Sequence, residues 1–333
     1  MEKKDIRIQR RGILSKVIAI RELVLTAFIV ILIAIVSFRS PYFLTLSNFN
    51  DIMLDTAILM VVAIGQMMVI LTAGIDLSVA STLAFSGMAV ALTVSQYKFV
   101  HPLVALLLGI GIGFALGSFN GILVSKLGIP PIIATIATMT VYRGFTFVIA
   151  KGAWVDAHEM PESFKQIARG SILKIPNLVM MVLVVSLLFY YFLEHTRTGR
   201  KIYAVGSNPN AARFVGIGLD KIRFLVYMLS GSLSGGVGVL WVSRYASAQS
   251  NSAVGFELIT VAACVIGGVF IFGGSGTILG VLLGSLLLGI IVNALSLVRV
   301  NPFWKLAIQG LIILFAVVTD AIMSKRIVRR LEV

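Results

Sequence analysis

MMVILTAGIDLSVASTLAFSG, residues Met67 to Gly87, is apolar enough to lie in a membrane and yet carries a carboxylate at Asp76. A charge at mid-bilayer costs about 2.5–3.5 kcal/mol on insertion scales, and such a residue usually faces protein or water. The stretch reads as one membrane span ending, a break, and a second span beginning. Gly74 can relax the backbone at the break. Asp76 to Ser78 can cap the second helix, where its dipole favours an acid. This reading makes the break a buried, re-entrant connection; direct contact of Asp76 with a solute and proton coupling are the alternatives.

The rest of the chain agrees with a membrane reading. Of 333 residues 58% are hydrophobic and only 13% charged, with a mean hydropathy of +1.01, whereas soluble domains carry about 25% charged residues. A helical crossing takes about 20 apolar residues, and ten such spans are expected, at 22–38, 54–72, 77–96, 102–124, 130–150, 177–193, 224–243, 256–272, 277–297 and 303–323. The first follows a basic head but lacks a small-residue cleavage site, so it reads as an uncleaved span. The third, fourth and ninth are rich in Gly, Ala and Ser, which predicts close packing inside the bundle. The single cysteine, Cys264, excludes an internal disulfide.

A net charge of +14 suggests nucleic acid, but the basic residues sit in short segments between spans, as the positive-inside rule requires. Lys3, Lys4, Arg7, Arg10, Arg11, Lys16 and Arg21 lie in the head (1–21). Arg197, Arg200, Lys201, Arg213, Lys221 and Arg223 lie in the connection 194–223. Lys325, Arg326, Arg329 and Arg330 lie in the tail (324–333). With Lys126 these place both termini on the cytoplasmic side of a transmembrane domain, 22–323. The connection 151–176, mixed in sign, falls outside. GIDLSVAS at Gly74 is echoed by GFELITVAA at Gly255, and LGSFNGILV at Leu116 by LGSLLLGIIV at Leu283. Copies that start on opposite membrane faces would form an inverted repeat. Glu257 then stands to the eighth span as Asp76 stands to the third. Arg143, inside the fifth span, is expected to snorkel or to pair with an acid.

GRKIYAVGSNPNAARFVGIGLDKIR, Gly199 to Arg223, holds a short helix with its own punctuation. Asn208 is the N-cap, Pro209 the first helical residue and Gly216 the stop. Ala211, Ala212, Phe214 and Val215 give it an apolar side. A helix too short to fold alone, held in the longest inner connection, suggests a docking element. An interfacial helix on lipid headgroups is the bland alternative.

LTAGIDLSVAS, NGILVSKLGIPPIIATIATM, YRGFTFVIAKGAW, GRKIYAVGSNPNAARFVGI and ACVIGGVFIFGGSGTILGVLLG together resemble the permease subunits of bacterial ABC importers for ribose, galactose, xylose, rhamnose and autoinducer-2. The resemblance runs from about residue 20 to 323. KGAWVDAHEMPESF and LWVSRYASAQ lean toward the rhamnose and autoinducer-2 types, and Ala80 stands where many members have glycine. The resemblance implies an all-α, inner-membrane fold of ten helices, working as a pair of identical or different permeases. It implies a periplasmic sugar-binding protein outside and an ATP-hydrolysing subunit inside, which binds the ATP and magnesium that this chain does not. It also implies that Asn208, Ala211, Ala212, Arg213, Phe214 and Gly216 belong to the coupling helix that meets that subunit. A neutral sugar needs hydroxyls and amides along its path, and Gln66, Ser78, Asn120, Thr135, Thr138 and Asn293 are the candidates.

Two other classes fit less well. The chain has no G-x-x-x-x-G-K-[ST] phosphate loop, so its energy comes from a partner or an ion gradient. An ion-coupled secondary transporter would place ionisable residues in several spans; only Asp76, Arg143, Glu257 and Asp320 qualify. GGSG at Gly273–Gly276 formally contains a protease motif, but a serine nucleophile needs a base, and His101, His158 and His195 all fall in connections. Those glycines read as a tight turn.

Overall fold

The computed structural model describes residues 22–298, together with scattered positions between 300 and 318. The basic head, the tail, most of the expected tenth span and Asp320 lie outside the described residues.

The described residues are all-α apart from one short hairpin and a lone antiparallel bridge between Val155 and Ala248. Helix α1 covers Glu22–Arg39. Then follow α2 (Leu46–Leu71), α3 (Val79–Gln96), α4 (Pro102–Ser125), α5 (Pro131–Ala150) and the short α6 (Glu162–Arg169). Strands β1 (Ser171–Ile172) and β2 (Ile175–Pro176) pair antiparallel. Next are α7 (Asn177–His195), α8 (Arg197–Ser207), α9 (Pro209–Phe214), α10 (Leu219–Tyr245), α11 (Phe256–Ile266) and α12 (Ile278–Leu297). Among the described residues, eight helices are long and apolar enough to cross a membrane. The expected span 256–272 is corrected: α11 has 11 residues, about 16 Å at 1.5 Å per residue, and residues 267–277 continue as turns. A glycine-rich tract can lie inside a membrane without being helical when other helices bury it.

Helix α2 is the axis of the bundle. Its most apolar window is 89% buried, against 22% for α4. Helix α10 packs on α2, α3 and α4, and α2 packs in turn on α10, α11 and α12. Exchanging α2 with α10, α3 with α11 and α4 with α12 maps one set of contacts onto the other. That is the pattern of two equivalent halves meeting along α2 and α10.

The expectation that α4 is interior because it is rich in glycine is also corrected. Its glycines form one stripe, Gly109, Gly113, Gly117 and Gly121, pressed against Gly231 and Gly235 of α10 and their neighbours. A Cβ on Gly113 would overlap the Gly231 carbonyl oxygen and come within 2.8 Å of the Gly235 Cα. The other faces of α4 carry exposed Leu103, Val104, Leu107, Leu108, Phe114 and Phe119. Small residues permit backbone approach along one seam; they do not make the whole helix interior.

The two ends of the bundle differ in charge. One end carries Asp51, Asp55 and α6. Arg244 meets Asp51 at 3.6 Å and Asp55 at 3.4 Å, and Lys165 meets Glu162 at 2.7 Å. Glu162 is held below the usual carboxylate range, chiefly by its bond from Lys165. The connection 151–176 is anchored there, not loose. Ser243 Oγ accepts from the Ala168 N–H at 3.0 Å, Arg169 Nε donates to the Arg244 carbonyl at 2.9 Å, and Phe164 is wholly buried. The opposite end holds α8 and α9, with Arg197, Arg200, Lys201, Arg213 and Lys221 exposed.

Candidate functional site

Three polar features stand out against the apolar bundle. The first surrounds Asp76, in the irregular segment between α2 and α3. Helix α2 ends through the Ala73 N–H on the Ile70 carbonyl (2.8 Å) and the Gly74 N–H on the Val69 carbonyl (3.1 Å). The left-handed residue of this turn is Ala73, at φ 61°. Glycine is required at 74 for room: a Cβ there would sit 2.7 Å from the Tyr227 hydroxyl.

Asp76 is almost completely buried. Its Oδ1 accepts from the Ser78 N–H (3.0 Å) and the Ser78 hydroxyl (2.7 Å), and its Oδ2 from the Ser230 hydroxyl of α10 (3.3 Å). Asn120 of α4 donates to Ser78 Oγ at 2.7 Å. The Gln66 amide, turned to satisfy both its ends, donates to the Asp76 carbonyl (3.0 Å) and accepts from its N–H (3.2 Å). The Thr135 hydroxyl of α5 lies between two carbonyls that can accept its proton, Pro131 of its own helix at 2.9 Å and Ile75 at 3.2 Å. Among the described residues, no cationic side chain pairs with this carboxylate. Asp76 therefore does more than cap: Ser78 occupies the N-cap position without a side-chain cap bond, and the 72–78 segment ties α2, α4, α5 and α10 together.

The structure thus brings Gln66, Ser78, Asn120 and Thr135 into one buried cluster. Thr138 lies a turn further along α5, bonded to the Thr135 carbonyl (3.2 Å). Asn293 stands apart and donates to Asn48 Oδ1 at 2.8 Å. Sequence reasoning misses Ser230, Tyr142 and Tyr227. The Tyr142 hydroxyl donates to the Leu116 carbonyl (2.9 Å).

The second feature is the counterpart break, 246–255, between α10 and α11. Arg143 of α5 donates through one guanidinium nitrogen to the carbonyls of Ser250 (3.0 Å) and Ser252 (2.6 Å). The expected acid partner is replaced by backbone, with Glu257 within electrostatic reach. Glu257 does not repeat the role of Asp76. It lies in the first turn of α11, behind Gly255 at φ 84°, and is half-buried. Arg143→Ala strips two carbonyls of their donor, so amide hydrogen exchange across 246–255 is expected to accelerate about tenfold or more, with exchange in α2 unchanged. Equal exchange in both proteins would show that Arg143 does not hold the loop.

The third feature is α9. Asn208 caps it, Oδ1 accepting from the Ala211 N–H at 2.9 Å, with Pro209 first in the helix and Gly216 at φ 79° just beyond it. Ala212 is buried, Ala211 and Arg213 are exposed, and Phe214 and Val215 are 92% and 77% exposed. Helix α8, which the sequence reads as plain connection, carries α9. Thr196 caps it through the Gly199 N–H (3.0 Å), and Ile202 and Val205 are buried in the core. Its signal in the sequence is Thr196 followed by apolar residues three apart.

The family model for the branched-chain amino acid transport system, permease component, matches residues 48–317. The chain belongs to this permease family. The permease is similar to the ribose import permease protein RbsC of Escherichia coli (strain K12), with 40% identity covering 88% of this chain and 91% of the relative. It is 33% identical to the autoinducer 2 import system permease protein LsrC of Enterobacter sp. (strain 638), over 92% and 88% of the two chains. It is also 33% identical to the probable ABC transporter permease protein y4mJ of Sinorhizobium fredii (strain NBRC 101917 / NGR234), over 92% and 90%. No solved structure matches the permease.

Proposed function

We propose that this permease is the membrane-spanning subunit of an ABC importer in a bacterial inner membrane, passing a sugar or sugar-like solute inward. The observation that carries the reading is α9: a capped helix that follows α8, whose Ile202 and Val205 are anchored in the core, and that presents Phe214 and Val215 to solvent at the basic end of the bundle. Large apolar side chains that exposed, at the end of a bundle and outside its apolar belt, suit a protein partner. Basic residues favour the cytoplasmic side, which puts α9 inside and α6 outside.

In this reading Asn208, Ala211, Ala212, Arg213, Phe214 and Gly216 form the contact with an ATP-hydrolysing subunit that holds ATP and magnesium. A periplasmic binding protein delivers the solute to the α6 end, and a second permease, the same or different, completes the path. The chain itself performs no catalysis. Relatives named for ribose and autoinducer 2 support a small polyhydroxylated solute over the branched-chain amino acids of the family description. A neutral solute asks for hydroxyls and amides, and Gln66, Ser78, Asn120, Thr135, Thr138 and Asn293 remain the proposed polar contacts. In the arrangement described above the first four are all tied to the 72–78 segment, so exposing them to a solute requires that segment to move.

The test is docking. Arg213→Glu combined with Phe214→Asp puts charge on two exposed positions of the helix and leaves the buried Ala212 in place. Solute uptake is expected to fall about 100-fold and the ATP-hydrolysing subunit to be lost on purification, the size of effect seen when a buried interface residue is replaced by an unpaired charge. Unchanged uptake and unchanged co-purification would remove α9 from the interface.

A further inference from the structure

Helix α9 touches little of the membrane domain itself, so a push on it must pass through α8. Three backbone segments meet where α8 ends. A Cβ on Gly206 would overlap the Leu71 carbonyl oxygen at the end of α2 and lie 2.6 Å from the Gly274 nitrogen. The Gly274 N–H donates to the same Leu71 carbonyl at 3.0 Å. A Cβ on Gly273 would come within 2.9 Å of the Ala73 nitrogen and 3.0 Å of the Gly206 Cα, and one on Gly274 within 2.6 Å of the Ser207 Cα. Gly273 and Gly274 both have positive φ, 90° and 78°, so this turn between α11 and α12 suits glycine on conformational as well as steric grounds. One side-chain bond closes the assembly: the Tyr203 hydroxyl of α8 donates to the Gly276 carbonyl at 3.0 Å. Burial, with Glu194 nearby, pushes the pKa of that hydroxyl up from its usual value, and a phenol is in any case protonated, and so able to donate, at physiological pH.

We infer that Gly206, Tyr203 and Gly274 form a rigid joint that carries displacement of α9 to two places at once, the Asp76 segment and the α11–α12 turn. The inference rests on the reading of α9 as the docking helix. Backbone packed on backbone has no rotamers with which to absorb motion, and packed elements shift as units rather than deform. On one branch the joint reaches Ala73, three residues before Asp76, whose contacts reach Ser230 of α10 and, through Ser78, Asn120 of α4. On the other it reaches Thr277, the N-cap of α12. The core contacts of Ile202 and Val205 beside Leu71 keep α8 from sliding across the joint. Tyr203, Gly206 and Gly274 are positioning residues: they contact no solute and act through the segments they grip.

The test uses the full complex in membranes, with solute transported per ATP hydrolysed as the readout. Tyr203→Phe removes the closing bond without adding bulk, and Gly206→Ala wedges the joint open. Both are expected to retain the ATP-hydrolysing subunit and to lower the transport ratio about 5-fold or more, the lower bound of a typical coupling energy. Spin labels at Lys201→Cys and Phe272→Cys, both exposed, report rigidity directly, because Cys264 is sealed in the core. Their separation is expected to stay constant between nucleotide-free and nucleotide-bound complexes, while Lys201→Cys to Leu127→Cys changes. A normal transport ratio in Tyr203→Phe, or a shifting 201–272 distance, overturns the joint even where Gly206→Ala fails to fold. If the ATP-hydrolysing subunit does not co-purify with the unaltered permease, the docking reading fails first and the joint falls with it.

Discussion

Gly113→Leu is expected to leave no folded permease recoverable from membranes. The stripe Gly109, Gly113, Gly117 and Gly121 brings α4 backbone to backbone with α10, and a leucine at its centre has nowhere to go. Overpacking in cores ordinarily costs about 1–3 kcal/mol. Here the obstacle is main chain rather than a movable side chain, so the cost is put at about 5 kcal/mol or more, comparable with the whole stability of many domains. Gly111→Leu is the control. That glycine lies on the same helix, and a Cβ there would meet nothing within 4 Å, so its variant is expected to accumulate normally. Recovery of monodisperse protein in detergent separates the two, and equal yields would show that the seam does not hold the helices.

The second large effect separates the charge of Asp76 from its hydrogen bonds. Asp76→Leu removes the acceptor of the Ser78 N–H, the Ser78 hydroxyl and the Ser230 hydroxyl. Buried donors left without partners cost roughly 1–3 kcal/mol each, so for three of them a loss of about 3–9 kcal/mol is expected. Asp76→Asn keeps an oxygen for Ser78 and offers an N–H₂ to Ser230 Oγ. It also deletes a charge with no cationic partner among the described residues, and burying an unpaired charge is unfavourable. The asparagine variant is therefore expected to unfold within a few degrees of the unaltered protein, and the leucine variant far below it. Thermal unfolding in detergent checks both, and matching transitions for leucine and the unaltered protein would sink the assignment of Asp76 as the holder of the break.

The sequence makes some of this visible and hides the rest for identifiable reasons. Local grammar is readable: Asn208, Pro209 and Gly216 bound α9 in the structure where the sequence puts them, and GGSG is a turn. Which spans lie inside is not readable. Helices α2 and α4 have nearly equal mean hydropathy, 2.2 and 2.1, yet one is enclosed and the other faces outward. Lipid and protein interior make the same demand on a side chain, so composition cannot tell them apart. The polar cluster is half legible. Gln66, Ser78, Asn120 and Thr135 can be picked singly for their chemistry, but their convergence on Asp76 depends on pairings such as Ser230 with Asp76, 154 positions apart. Arg143 is hidden for another reason: carbonyl partners leave no mark in a sequence. Helix α11 reads too long because its glycine-rich continuation is as apolar as a helix would be.

The seam between α4 and α10 has a mechanical corollary. It joins peptide planes, and almost no side-chain freedom has to be frozen to form it or is regained by parting it. Such a join offers no intermediate settings. Whatever rearrangement carries a solute across, these two helices should travel as a single plank, and the give must come from places where interlocked side chains can exchange one fit for another.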